Sequence, residues 1–179
     1  MSSTGDEIFV RRLTSVTDEE IHQLARVLVD CVEGGASVGF MNPLDLDKAG
    51  AFWRRVADAV ARGERALIVA EDERGIIGTA QLVVGLPDNQ PHRADLSKML
   101  VHPSARRRGV GAAVLRAAEN LARALGKSLL LLDTASGDAE RLYARHGWVR
   151  AGVVPDYALL PSGGFCNTTF YYRRLEPEA

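Results

Sequence analysis

One stretch constrains the fold of this chain more than any other: KMLVHPSARRRGVGAAVL, Lys98 to Leu115. An apolar run ends at His102-Pro103, three arginines follow, and Gly109-Val110-Gly111 lead into an alanine-rich pattern. Proline cannot donate to a sheet ladder and turns the residue before it away from helix, so a strand has to end there. Val110, Val114, Ala117, Leu121 and Leu125 then recur every three or four residues, which predicts a helix from about Arg107 to Leu125, closed by Gly126. A strand feeding a glycine-bearing turn at a helix N-terminus is a physical anion site. The first N–H groups of the helix lack intrahelical acceptors, and the helix dipole adds partial positive charge. Gly109 and Gly111 remove side chains that would hold an anion off, and Arg106, Arg107 and Arg108 add charge.

Two familiar nucleotide motifs fail on the same letters. A G-x-G-x-x-G fingerprint needs a small third residue, and Val114 stands there; the P-loop pattern ending in Lys-Ser/Thr is absent. The formal net charge is −1, so the arginines are a local feature of a near-neutral molecule, which argues against a nucleic-acid partner.

The flanking sequence supplies the rest of a mixed α/β sheet. Ile8 to Leu13 reads as a strand, and Thr17 followed by Asp18, Glu19 and Glu20 reads as a helix start. Ile21, Leu24, Ala25, Leu28 and Val32 continue that helix to about Glu33, and a second runs from Asp45 to Ala61. Ala66–Ala70 and Ile76–Val84 form a hairpin about Asp72–Gly75, and Ala94–Val101 is the strand that enters the arginine turn. Ser128–Leu132 reads as a strand buried on both faces, Asp138–His146 as a short helix, and Trp148–Val154 and Thr168–Arg174 as the last strands. With 46% apolar and 25% charged residues in 179, one ordered domain over residues 1–179 is expected.

Cys31 and Cys166 are too few and too far apart for a disulfide framework or a metal pair, and His92, His102 and His146 show no metal-ligand spacing, so no metal is expected. The polar start MSSTGDEIF lacks a basic-then-apolar signal pattern. No apolar run approaches the roughly 20 residues that span a bilayer. The expected location is the cytoplasm, with no membrane partner.

RRRGVG, Arg106 to Gly111, resembles the Q/R-x-x-G-x-G/A motif of the GCN5-related N-acetyltransferase (GNAT) superfamily, and AERLYARHGWVRAG, Ala139 to Gly152, resembles that family's fourth helix and following strand. GGASVGFM (Gly34 to Met41), VHPSARRRGVG and LLLLDTASGDAERLY together resemble the tabtoxin-resistance type, which acetylates a free amine on a small amino-acid-like toxin. The resemblance implies the GNAT fold, a mixed, mostly antiparallel sheet of about seven strands flanked by four helices. It further implies acetyl-CoA as co-substrate, a coenzyme-binding core at about residues 94–150, a small-molecule amine as acceptor and a homodimer as the possible assembly.

It also distributes roles. The coenzyme diphosphate falls to Arg106, Arg107, Arg108, Gly109, Val110, Gly111 and Ala112. The pantetheine arm falls to the strand at Met99, Leu100 and Val101, with the Met99 N–H facing the thioester carbonyl. Ser136 stands where many relatives place a coenzyme-touching asparagine, and Tyr143 where a tyrosine serves as general acid. Asp133, a partly desolvated carboxylate at a strand end, and Asp95 are the two choices for general base. Ser37, Phe40 and Met41 from the first loop, with Tyr157 and Asn167, would line the acceptor pocket.

Plainer readings stand beside these. Tyr143 also fits a packed core tyrosine, Asp133 a loop cap, and Phe40 with Met41 a hydrophobic staple. His102 reads as a cap at the strand end and His146 as one at a helix end, neither catalytic. Two other functions fit the same motifs: N-acetylation of a protein or peptide, and an acyl-CoA-binding sensor without turnover.

Overall fold

Seven strands form one sheet in the order β1-β2-β3-β4-β5-β7-β6 in the computed structural model, which describes residues 7–176. The first six residues, which open the stretch read above for a signal pattern, lie outside the described residues. β1 (Phe9–Leu13) leads to α1 (Asp18–Glu33) and α2 (Leu46–Ala61). The hairpin β2 (Arg65–Asp72) and β3 (Gly75–Val83) follows, then β4 (Arg93–Val101), a single 3-10 turn at Pro103–Ala105, and α3 (Val110–Ala124). β5 (Leu129–Thr134), α4 (Gly137–Arg145), β6 (Val149–Leu159) and β7 (Phe165–Arg174) complete the order. Every neighbouring pair is antiparallel except β4 and β5. The expected GNAT sheet of seven strands with four helices is what forms.

Local chemistry sets the helix starts. The Thr17 hydroxyl accepts the Glu20 N–H at 3.2 Å while the Glu20 carboxylate accepts the Thr17 N–H at 2.8 Å, a reciprocal cap on α1. Asp45 caps α2 by accepting the Lys48 N–H at 2.7 Å. One sheet face buries Leu24, Leu28, Trp53 and Val56 of these two helices. The other buries Val114, Leu115 and Ala118 of α3, and Tyr143, Trp148 and Tyr171 join that side. Burying a Val or Leu side chain contributes about 1.5–3 kcal/mol, so each face is held chiefly by its aliphatic residues. α3 presses onto the sheet at Gly78, where a Cβ would stand 2.6 Å from the Val110 side chain.

Three boundaries differ from the sequence reading. α3 begins at Val110 rather than near Arg107, because Arg107 (φ 62°) and Gly109 (φ 79°) both hold left-handed backbone, which a right-handed helix cannot contain. The three arginines therefore form the turn, not the first helical turn. β5 is not buried on both faces: Leu130 and Leu132 are buried, while Leu129 and Leu131 are half-exposed. The strands β6 and β7 run beyond the expected Trp148–Val154 and Thr168–Arg174, pairing Ala158 with Cys166 and Leu159 with Phe165. That extension is exposed on both sides, so it has no period-2 pattern for a sequence reading to find. No helix among the described residues is long and apolar enough to cross a membrane.

Candidate active site

The parallel pair β4–β5 stays in register only at Arg93–Leu129, Ala94–Leu130 and Asp95–Leu131. Beyond that point the strands diverge. Leu96 to Val101 are without a β5 partner, while β5 remains paired with β7 as far as Thr134 and Thr169. A sheet that splits leaves a row of peptide groups unpaired along one edge, a template for an extended ligand. The split opens into a cleft of about 1370 Å³, beyond the roughly 300–1,000 Å³ of an ordinary small-ligand pocket and roomy enough for two reactants.

The unpaired edge carries a bulge. Gln81 pairs with Ser97 and Thr79 with Leu100, so Ala80 faces two residues, Lys98 and Met99. Lys98 takes up the extra length in left-handed backbone, φ 49°. Met99, Leu100 and Val101 all reach the cleft wall.

At one end of the split stands the start of α3. Gly109, its N-cap, makes no side-chain capping bond, and Gly109, Val110, Gly111 and Ala112 line the cleft. A Cβ on Gly109 would meet nothing within 4 Å; one on Gly111 would already sit 3.3 Å from Leu142. The helix N-terminus is thus bare of side chains where an anion would approach. Arg106 and Arg107 line the same end. Arg108 is placed otherwise: its guanidinium donates to Asp72 at 2.9 Å, and it is not part of the cleft wall. Burial alone would raise the Asp72 carboxyl, but hydrogen bonds from Arg74 and Arg108 outweigh it and hold Asp72 at about 2. This ion pair ties the arginine turn to the end of β2. Ser136 lines the cleft and caps α4, its hydroxyl accepting the Ala139 N–H at 3.4 Å.

Tyr143 is a packed residue that also reaches the cleft. Its ring packs 5.6 Å from Trp148 and 6.0 Å from Tyr171, and the residue also borders the cleft. Burial first, and the charge of Asp133 second, push its phenol well above the usual tyrosine value. Asp133 itself is exposed rather than desolvated, because β5 ends at the open mouth of the split; it accepts the Thr168 hydroxyl at 2.8 Å. Asp95 is paired with Arg93.

The loop of residues 34–39 also lines the cleft, with Ser37 in the wall, 3.5 Å from both the Leu159 carbonyl and Cys166 Sγ. Phe40 and Met41 are not in that wall. Phe40 stacks edge-on against Phe52 at 5.3 Å, a packing role, and Met41 faces solvent. Tyr157 and Asn167 do line the cleft from β6 and β7. Tyr157 rests edge-on against Phe170, and Asn167 accepts the Asp156 N–H at 3.1 Å. His102 caps the 3-10 turn by accepting the Ser104 N–H and pairs with Asp30 on the far side, while His146 caps α4.

Among the wall residues to which the sequence reading gave no site role are Cys31 and Lys98. Cys31 lies under Val101, donating to its carbonyl at 3.4 Å, and burial pushes its thiol up to about 11, with Arg106 opposing. A thiol so held is a poor nucleophile. The trace of Lys98 in the sequence is a positive charge immediately before the apolar run Met99-Leu100-Val101. Among the described residues, no three or more His, Cys, Asp or Glu side chains gather as a metal site.

Comparison with known proteins agrees with this geometry. The acetyltransferase (GNAT) domain family matches residues 63–150. An uncharacterized N-acetyltransferase from the hisH–hisA intergenic region of Azospirillum brasilense is 31% identical over 129 residues, 71% of this chain and 75% of that protein. Among solved structures, the Salmonella typhimurium acetyltransferase yncA with its cofactor acetyl-CoA superposes with a TM-score of 0.75 at 19% identity, covering 96% of both chains. A ribosomal-protein-alanine N-acetyltransferase from Brucella melitensis superposes at 0.77 and 21% identity, covering 93% of this chain and 99% of that one. A split sheet with a bare helix N-terminus at its end, a matching family domain and a relative across most of the chain lead to one assignment: this protein belongs to the GNAT N-acetyltransferases, acyltransferases that use acetyl-CoA.

Proposed function

We propose that this single-domain enzyme transfers the acetyl group of acetyl-CoA to the amine of a small molecule, an amino-acid-like toxin or antibiotic, in the manner of the tabtoxin-resistance type. The observation that carries the reading is the β4–β5 split ending at the uncapped start of α3. Acetyl-CoA supplies an acyl carbon activated as a thioester. The α3 N-terminus, with Arg106 and Arg107, is placed to take the diphosphate, and the unpaired edge from Leu96 to Val101 to take the pantetheine amides. The Met99 N–H is the donor for the thioester oxygen; such oriented donors contribute about 3–4 kcal/mol where negative charge develops.

The amine nitrogen attacks the acyl carbon, the C–S bond breaks, and the nitrogen loses a proton. An α-amine titrates near 8, so part of it is already neutral at cellular pH, and a weak base suffices. Asp133 is better placed than Asp95, which Arg93 already engages. Tyr143 stays protonated, because its raised pKa keeps it a phenol. A thiol near 8.5 outcompetes such a phenol as an acid, so Tyr143 stabilises the departing thiolate by donating a hydrogen bond more than by surrendering its proton. With Cys31 held as a thiol, attack on the thioester is direct, without an acylated enzyme.

The loop of residues 34–39 covers the acceptor end, which favours a compact acceptor over an extended peptide. We place the enzyme in the cytoplasm, as a homodimer. The free outer edge of β6, exposing Val149, Val153 and Leu159, supports that assembly, and light scattering of the purified chain measures it. The functional test is thiol release from acetyl-CoA across small α-amines, aminoglycosides and short peptides. Turnover confined to small α-amines is the expected result. Turnover of peptides alone moves the function to protein acetylation, and tight acetyl-CoA binding without turnover of any amine leaves a sensor.

A further inference from the structure

The acceptor end of the cleft holds a charge that the chain itself does not answer. The Lys98 ammonium is more than half withdrawn from water, 5.8 Å above the centre of the Phe52 ring. It lies beneath the glycine loop, where a Cβ on Gly39 would stand 3.8 Å from its nitrogen. Among the described residues no carboxylate pairs with it. The other charges nearby are committed or too far: Arg65 donates to Gln81 at 2.6 Å, Arg93 pairs with Asp95, and Asp133 stands across the split without a direct bond. Burial, then the positive charge of Arg65, lower the ammonium's pKa, with Asp133 opposing. A half-buried cation that faces an aromatic ring and is paired with no carboxylate among the described residues is undercompensated, and an anionic group arriving from the cleft would supply what is missing.

Its position says which anion. Lys98 is the residue before Met99, so its side chain leaves the backbone one residue from the proposed carbonyl-facing N–H. Asp133 and Tyr143 border the same cleft from β5 and α4. An acceptor whose amine points to the thioester therefore has its next substituent within reach of Lys98. We propose that Lys98 is a specificity-determining residue that receives the carboxylate of the acceptor, so that the preferred acceptor is an α-amino acid or close analogue with a free carboxylate. Gly39 leaves the room for it, and the Phe52 ring holds the lysine stem in place. Peptides and aminoglycosides, which carry amines without an adjacent carboxylate, lack the partner. This inference rests on the reading of the cleft as an acetyl-transfer site for small amines.

The test uses the full chain, acetyl-CoA and matched acceptors: the proteinogenic L-amino acids and their α-carboxamides, compared at equal concentrations of neutral amine, because the carboxamides are also the weaker bases. The wild-type enzyme is expected to favour acids over amides at least tenfold in kcat/KM, chiefly through KM. Lys98→Met, which keeps an unbranched apolar stem over Phe52, is expected to reduce that acid-to-amide ratio at least tenfold, and Lys98→Arg to restore part of it. Calorimetric binding of acetyl-CoA to each variant reads the donor end separately and shows that the fold is retained. A wild-type preference for amides, or a ratio that Lys98→Met leaves unchanged, overturns the assignment to Lys98 while leaving acetyl transfer in place. Failure of the wild-type enzyme to acetylate either series while it binds acetyl-CoA overturns both.

Discussion

At its proposed donor end the cleft presents peptide N–H groups: the unpaired edge of β4 and the bare start of α3. At its proposed acceptor end it presents side chains, among them Ser37, Lys98, Tyr157 and Asn167, delivered by four separate segments. The contrast has a physical cause. Every peptide carries the same donor and acceptor, so a backbone site depends on where the chain goes and hardly on which residues it contains. A site of side chains depends on each identity and on every contact that aims it. Donor recognition should then resist substitution of its side chains but not of its backbone shape, and acceptor recognition the reverse.

Tyr143, at the junction of the two ends, gives the largest effect. Tyr143→Phe keeps the ring packed on Trp148 and Tyr171 and removes only the hydroxyl. We expect kcat to fall about 100-fold, the lower end of what one hydrogen-bond donor to a developing negative charge contributes, with little change in thermal stability. Steady-state kinetics beside a melting curve separates the two.

Next is the anchor behind the arginine turn. Asp72 is depressed in the folded state, from an ordinary 3.8 to about 2. A lowered folded pKa contributes stability that is fully present above about pH 4 and lost as pH falls toward 2. Asp72→Asn should therefore cost about 2 kcal/mol at pH 7 and almost nothing near pH 2. Urea unfolding of both proteins across that range reads the difference.

Gly109→Val tests the bare turn, since a side chain there meets no other protein atom but must hold a left-handed conformation and stand where the anion would approach. That strain is about 1–2 kcal/mol, and the Kd for acetyl-CoA should rise about 5–30-fold by calorimetry. The smallest effect belongs to Met99→Ala. It leaves the peptide N–H in place, so kcat should stay within about threefold of wild type. A large loss there would mean that the donor end reads side chains after all, and the contrast between the two ends would fail.

The order of elements, the helix starts at Thr17 and Asp45, the strand end at Pro103 and the glycine turn before α3 follow from local rules. Capping groups, proline and helical spacing act over a few residues and leave their mark in contiguous letters. The stretch proposed as the donor end was legible as strand, turn and helix for that reason, being largely uninterrupted. Residues whose role depends on distant partners were not. Arg108 reads as one of three equal arginines until Asp72, at the end of β2, claims it. Phe40 reads as a pocket residue until Phe52 takes its face. Asp133 reads as desolvated because its strand is apolar, yet it sits where the sheet opens to water. Lys98 gives no local sign of its bulge, because neither glycine nor asparagine marks the left-handed position. What the sequence by itself determined was the fold and the arginine–glycine turn before α3, whose physics is local. Which arginine faces the cleft, where the sheet splits and which cation waits at the acceptor end were decided by the tertiary structure alone, because each depends on groups that only folding brings together.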